Sequence, residues 1–303
     1  MSDKSPPKQP FRSGALKDPR LPLPKFPKQR QEWPGLACRM DPLPDHGEES
    51  YRGSGRLQGR RALITGGDSG IGAAVAIAFA REGADIAISH LEAEQEDADC
   101  IIDLALKEGR TALSLPGDIR DEETCKALVA KAVEGLGGLD VLVNNAGRQQ
   151  YCTDLAELST EAFDATVKTN VYAPFWITRA ALPHLEAGAS VIFTASVQAR
   201  DPSGHLLDYA QTKAANLAFA QGLAKQLAPR GIRVNAVCPG PYWTALQISG
   251  GQPQEAIPEF GASEPLGRAG QPVEIAPLYV LLASDEASYI TGEHLAAIGG
   301  SGL

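Results

Sequence analysis

From Gly59 onward, short apolar runs alternate with amphipathic segments of helical length. The runs predict strands at residues 61–65, 85–89, 111–115, 139–143, 190–194, 233–237 and 294–297. The segments between them predict helices at 71–81, about 93–107, 122–134, about 160–185, 207–228 and 273–283. Strands and helices that alternate in this way build a parallel sheet with helices on both faces. Right-handed crossovers then give an α/β, Rossmann-type doubly wound sheet of about seven strands, with ligands at the carboxyl ends of the strands. No linker interrupts residues 58–303, which read as a single domain.

Residues 1–57 follow another rule. Ten prolines, from Pro6 to Pro44, block helix interiors and sheet ladders, while Lys, Arg, Gln and Glu fill the gaps. An extended arm is expected, with plain disorder as the competing reading on composition alone. Phe11, Phe26, Trp33, Leu36 and Tyr51 favour the arm, because a solvated tail needs no apolar anchors. On that reading the arm lies along the surface of its own or a neighbouring subunit.

Charge and thiols narrow the function classes. The chain carries a formal net charge of -9, which argues against a nucleic-acid partner and suits an enzyme with small ligands. Its five cysteines are scattered and form no Cys-x-x-Cys pair. They fit reduced thiols in the cytoplasm rather than a disulfide frame or a zinc site. The five histidines make no H-E-x-x-H, so no metal is expected. No apolar run approaches ~18 residues, so no membrane span is expected. Residues 1–10 lack the apolar stretch of a signal peptide.

The strand at 61–65 runs straight into Thr65-Gly66-Gly67-Asp68-Ser69-Gly70-Ile71-Gly72, which opens the next helix. Glycines there permit a tight turn and let backbone N–H groups approach a pyrophosphate at the positive helix end. An ordinary strand-to-helix turn looks similar, but the flanking strand and helix are the context that a dinucleotide site requires. A second local signal is Tyr209 and Lys213, four residues apart on one helix face. An ammonium beside a phenol favours phenolate and moves its pKa down from ~10. Alone, the pair describes a half-buried aromatic beside a solvated lysine equally well. A hydrolase is not supported, since Ser196 lies in Thr194-Ala195-Ser196-Val197 and not in a G-x-S-x-G elbow.

Together these motifs resemble the short-chain dehydrogenase/reductase superfamily, from about residue 59 to the end. Gly66, Gly70 and Gly72 match its T-G-x-x-x-G-x-G, and Asn144-Asn145-Ala146-Gly147 its N-N-A-G. Asn170 matches its helix asparagine, Ser196 its serine after the fifth strand, and Tyr209 to Lys213 its Y-x-x-x-K. Pro239-Gly240 followed by Thr244 is similar to the segment that covers the nicotinamide. The arm, the wording ITGGDSGIG, Phe260-Gly261 and the run from Gly267 to Pro272 resemble a narrower bacterial group. Its N-terminally extended members are described as general stress proteins or NADP-dependent aldehyde reductases.

The resemblance implies an NAD(P)-dependent oxidoreductase that moves hydride between nicotinamide and a small aldehyde, ketone or alcohol. A carbonyl that accepts hydride becomes an alkoxide, so the site must polarise the oxygen and deliver a proton. Tyr209 is implied as the acid/base, and Lys213 as the group that depresses its pKa and holds the nicotinamide ribose. Ser196 is implied to hydrogen-bond the substrate oxygen, and Asn170 to support a water that links Lys213 to solvent. Gly66, Asp68, Ser69, Gly70, Ile71 and Gly72 belong to the implied cofactor site. So do Asn145, Ala146, Gly147, Pro239, Gly240 and Thr244, with Asp118-Ile119 against the adenine. A homotetramer is implied, its subunits packed through the helices at 160–185 and 207–228. Two other readings stay open: an epimerase or dehydratase on the same fold, and a non-catalytic dinucleotide-binding stress protein.

NAD users commonly end the second strand with an acidic residue that excludes a 2′-phosphate. Here Ser89 and His90 stand at that place and can donate hydrogen bonds, so NADP(H) is expected, with NAD(H) as the alternative. An exposed His90 without a ligand is equally open, and Glu92 and Glu94 oppose a phosphate if they point inward. Gln149, Gln198, Tyr242 and Trp243 are expected to line the substrate end, which suits an apolar or aromatic carbonyl. Residues 242–262 read as a mobile lid, with a packed connector as the alternative.

Overall fold

The structure, a computed structural model, describes residues 21–301. Seven strands are laid down in chain order: β1 (Arg61–Thr65), β2 (Asp85–His90), β3 (Ala112–Pro116), β4 (Val141–Asn144), β5 (Ser190–Thr194), β6 (Arg233–Pro239) and β7 (His294–Ala297). All pair in parallel, in the order β3-β2-β1-β4-β5-β6-β7. The order reverses between β1 and β4, which opens a crevice at the carboxyl ends of those strands.

Helices cover both faces. They are α1 (Gly70–Arg81), α2 (Gln95–Lys107), α3 (Glu122–Leu136), α4 (Thr160–Val167), α5 (Ala173–Ala181), α6 (Leu207–Leu227) and α7 (Pro272–Ala283). Along β1, Ala62 and Ile64 join the core layer under α1, α2 and α7, while Leu63 joins the layer under α3, α5 and α6. This alternation is the period of a strand buried on both sides.

The helix expected over 160–185 is broken. Between α4 and α5 the residues Lys168–Tyr172 widen into a π turn, and Leu182–His184 tighten into a 3-10 turn. Pro174 has no N–H for the carbonyl of Asn170, and its ring crowds that oxygen. The turn relaxes to an i+5 bond, from Ala173 N to Lys168 O.

Residues 21–57 lie against the rest of the chain. Phe26 N donates to Pro258 O (3.1 Å), Gln31 N to Ile248 O (3.0 Å), and Val273 N to Asp45 O (3.0 Å). Tyr51 donates to the buried carboxylate of Glu82 (2.6 Å), which also receives Ser54 N (2.8 Å) and Arg56 Nη2 (2.9 Å). Phe26, Leu36 and Tyr51 are buried and Trp33 is half-buried. Phe11 lies outside the described residues.

The segment after β6 is held by the same contacts. Phe26 and Met40 share a small apolar cluster with Trp243, Ala245, Ile248 and Ile257. Residues 242–262, read from sequence as a lid, are therefore bonded to the arm at Ile248 and Pro258.

Candidate active site

The glycine turn forms the floor of a cleft at the carboxyl ends of the strands. Gly66 and Gly70 have φ of +61° and +52°, which L side chains rarely adopt. A Cβ on Gly72 would lie 1.8 Å from the Gly66 carbonyl oxygen, so only glycine lets α1 start this close to β1. The side chain of Ser69 does not cap α1, and no acidic residue occupies its first turn. The amides of that turn remain available to an anion, as a dinucleotide phosphate requires. Asn145 fixes the wall opposite. Its side-chain amide donates to the carbonyls of Thr65 and Gly66 (3.1 Å each), and the Thr65 hydroxyl accepts from Asn145 N and Ala146 N (3.0 Å each).

These residues open onto a cavity of about 340 Å³. Gly66, Asp68, Ser69, Gly70 and Ile71 line it, as do Ser89, His90, Asp118 and Ile119. Asn145, Ala146, Gly147, Pro239, Gly240 and Thr244 complete that end. Gly72 stands behind the turn rather than in the cavity wall.

His90 departs from its expected role. Its Nε2 is 2.8 Å from Ser114 Oγ and its Nδ1 2.9 Å from Leu91 O, so both ring nitrogens are already engaged. The imidazole is thus tied to β3 and has no nitrogen left for a phosphate. Glu94 does point inward and lines the cavity, whereas Glu92 is exposed.

Asp68 is fully buried, and its Oδ2 has no hydrogen-bond partner among the described residues. Burial first, and then Asp97, raise its pKa to about 7. Burial, and then Asp68, raise that of Glu94 to about 8. The pair therefore retains a proton toward neutrality, which mutes its repulsion of a phosphate.

At the other end stand Ser196, Tyr209 and Lys213, all lining the same cavity. Asp208 sets the start of α6 by accepting from Tyr209 N (2.8 Å) and from the Thr166 hydroxyl (2.7 Å). The Ser196 hydroxyl, which accepts from Gln198 N (3.1 Å), lies near enough to the Tyr209 phenol to oppose the rise of its pKa. The expected acidification of Tyr209 by Lys213 is not present in this state. Burial pushes the phenol up to about 12, opposed by Ser196. Lys213 Nζ donates to Thr194 O at 2.7 Å and lies 5.4 Å from the centroid of the Tyr209 ring, over its face. Burial lowers its own pKa to about 8. The four-residue spacing aligns the two side chains, and the Thr194 carbonyl decides where the ammonium goes.

Asn170 does not reach the cavity wall; Thr169 does. Its side chain donates to Arg148 O (2.9 Å) and Thr212 Oγ1 (3.0 Å) and accepts from Arg148 N (2.8 Å). Those bonds tie the strand-end loop after β4 to α6.

At the substrate end, Gln149, Gln198 and Tyr242 line the cavity. Gln149 donates to Gly251 O (2.8 Å), and Gln198 accepts from Ser203 N (2.7 Å). Trp243 is a correction. It is fully buried, stacked on Phe26 and absent from the cavity lining, because the arm covers it. Sequence reasoning missed Trp33 and Pro34 of the arm, together with Phe260 and Glu264, as lining residues. Trp33-Pro34 was visible as an apolar anchor, but nothing local ties it to a turn beyond residue 60.

A family model described as enoyl-(acyl carrier protein) reductase matches residues 66–301. An Escherichia coli (strain K12) protein named uncharacterized oxidoreductase YghA is 56% identical over 279 residues, covering 92% of this chain and 95% of that one. The chloroplastic NADPH-dependent aldehyde reductase 1 of Arabidopsis thaliana is 43% identical over 282 residues, with 90% and 97% covered. A crystal structure of a short chain dehydrogenase from Burkholderia cenocepacia J2315 in complex with NADP superimposes with a TM-score of 0.75 at 36% identity. It covers 81% of this chain and 98% of that one. Matched from its glycine turn almost to its last residue, the chain belongs to the short-chain dehydrogenase/reductase family of oxidoreductases.

Proposed function

We propose that the protein is an NADP(H)-preferring carbonyl reductase that acts on small aldehydes or ketones, or on the matching alcohols in reverse. The observation that carries this reading is the convergence of Ser196, Tyr209 and Lys213 on the cavity that the glycine turn also floors. The names of its relatives support the choice of NADPH and of an aldehyde. The proton-holding state of Asp68 and Glu94 is compatible with a phosphate at that end.

When bound, the nicotinamide supplies or accepts the hydride, and the remaining tasks fall to side chains. The Ser196 hydroxyl and the Tyr209 phenol grip the carbonyl oxygen from two directions. A phenol that keeps its proton well above neutrality suits the reducing direction, because an alkoxide is a far stronger base and takes that proton downhill. Lys213 is proposed to hold the ribose beside the ring. Asn170 is proposed as a positioning residue, which keeps the loop after β4 in register with α6. Leu206, Leu246 and Phe260 give the substrate end an apolar wall, and among the described residues Lys213, held to Thr194 O, is the one Arg or Lys in the cavity lining.

Assembly as a cytoplasmic homotetramer belongs to the same proposal. Phe163, Tyr172, Phe175 and Leu207 are exposed on or beside α4, α5 and α6, a patch suited to helix packing between subunits. Among the described residues no helix is long and apolar enough to cross a membrane. A panel of aldehydes and ketones, followed by NADPH and NADH absorbance, tests the reading. Faster turnover with NADPH supports it. Tight NADPH binding with no carbonyl reduced would favour a binding protein instead.

A further inference from the structure

Trp33 sits at the tip of a turn that is closed by its own sequence. Leu36 N donates to Gln31 Oε1 (2.7 Å), and Gln31 Nε2 donates back to Leu36 O (3.0 Å). The turn rests on the segment after β6. Gln31 N bonds Ile248 O, and Gly35, at φ +79°, lies where a Cβ would come within 2.9 Å of Ser249 Cβ. A residue carried on such a doubly fastened turn has a defined place.

That place is the cavity mouth. Trp33 and Pro34 line the same cavity as the glycine turn and the Gly117 to Ile119 wall. The indole reaches across to two guanidiniums, Arg120 at 5.7 Å and Arg148 at 4.8 Å from the ring centroid. Arg120 is neutralised by Asp118, which it clamps through Nε at 2.9 Å. The Nε of Arg148 is buried without a partner among the described residues. Both guanidiniums are drawn to the one indole, which holds them at the rim.

We propose that the N-terminal arm completes the dinucleotide site, with Trp33 closing the adenosine end of the cavity and contacting the bound adenosine. The inference rests on the dinucleotide reading given above. A flat indole beside an adenine wall offers stacking, an interaction indifferent to the nicotinamide end. The ligand then leaves only after the turn lifts, and the turn is fastened to the segment that shapes the substrate end. Cofactor release and opening of the substrate end are thereby coupled.

The test is stopped-flow release of NADPH from the full-length protein, read by its fluorescence. Trp33→Ala is expected to speed release by roughly 10-fold or more, the scale of a lost base–aromatic stack. Equilibrium binding of 2′,5′-ADP should weaken similarly, while nicotinamide mononucleotide should change less than twofold. Trp33→Phe keeps a ring and is expected to restore most of the retention at an unchanged melting temperature. Release from Trp33→Ala at the wild-type rate would overturn the proposal, as would equal weakening of both fragments. If wild-type protein does not bind NADPH at all, the dinucleotide reading fails instead, and the two failures are distinct.

Discussion

Phe26 and Trp243 stack with ring centroids 4.1 Å apart and planes 5° from parallel. Trp243 Nε1 also donates to Pro42 O at 2.8 Å, so the arm encloses the indole from two sides. The substrate end of the site is thus supported from outside the sheet. Phe26→Ala is expected to destabilise this layer by about 3–5 kcal/mol, the usual scale for a buried Phe. Limited proteolysis within residues 21–57 should accelerate, and the carbonyl KM should rise more than the NADPH Kd. An unaltered digestion pattern would show that the stack contributes nothing.

Glu82 fixes the other part of the arm. Despite burial, its bonds from Tyr51, Arg56 and Ser54 bring its pKa down to about 2. A depressed folded-state pKa means that its stabilisation is complete above the unfolded value of 4.5 and drains away as pH falls toward 2. Wild-type melting temperature should therefore drop steeply between pH 4.5 and 2. Glu82→Gln should already be less stable at pH 7 and should show a shallower acid slope.

Asp68 and Glu94 give the opposite sign. Burial and the neighbouring carboxylates raise both from their ordinary values of 3.8 and 4.5 toward neutrality and beyond. Each destabilises the fold progressively as pH rises through that interval, because the unfolded chain ionises first. Asp68→Asn is expected to raise the melting temperature at pH 8, by roughly 2–4 °C for each kcal/mol recovered, and to change it little at pH 4. NADPH binding, measured by titration calorimetry, should weaken in wild type between pH 6.5 and 8.5 and stay flatter in the variant. Affinity independent of pH in both proteins would contradict the account of that end.

Lys213, in its proposed role, is expected to set a pH dependence on the rate. Burial lowers its pKa to about 8, so the ammonium is present below that value and lost above it. Carbonyl reduction should hold steady to about pH 8 and decline beyond, whereas alcohol oxidation should rise with pH as the phenol gives up its proton more readily. Rates measured in both directions from pH 6 to 10 check this. A reduction rate that climbs past pH 9 would be inconsistent with it.

Much of this architecture is legible in local sequence. The apolar runs of the central strands mark them because those strands are buried on both faces, while Gly66 and Gly70 mark the turn by positive φ and Gly72 by the clash that a Cβ would make. The break at Asn170 was also readable, since Pro174 four residues on cannot donate to its carbonyl. What escapes is set by partners distant in the chain. Trp243 reads as a pocket aromatic until Phe26 covers it. His90 reads as a phosphate ligand until strand pairing brings Ser114 to its ring. The spacing of Tyr209 and Lys213 fixes a shared helix face, but the ammonium is drawn to Thr194 O on β5, a contact no helical pattern contains.

The Tyr209 phenol is proposed to deliver the proton to the reduced carbonyl. Single-turnover oxidation of NADPH by an accepted aldehyde, compared between wild type and Tyr209→Phe at pH 7, tests it most directly. The account predicts a rate lower by ~10² or more in the variant, with NADPH affinity within a factor of two. Equal single-turnover rates in the two proteins would contradict it.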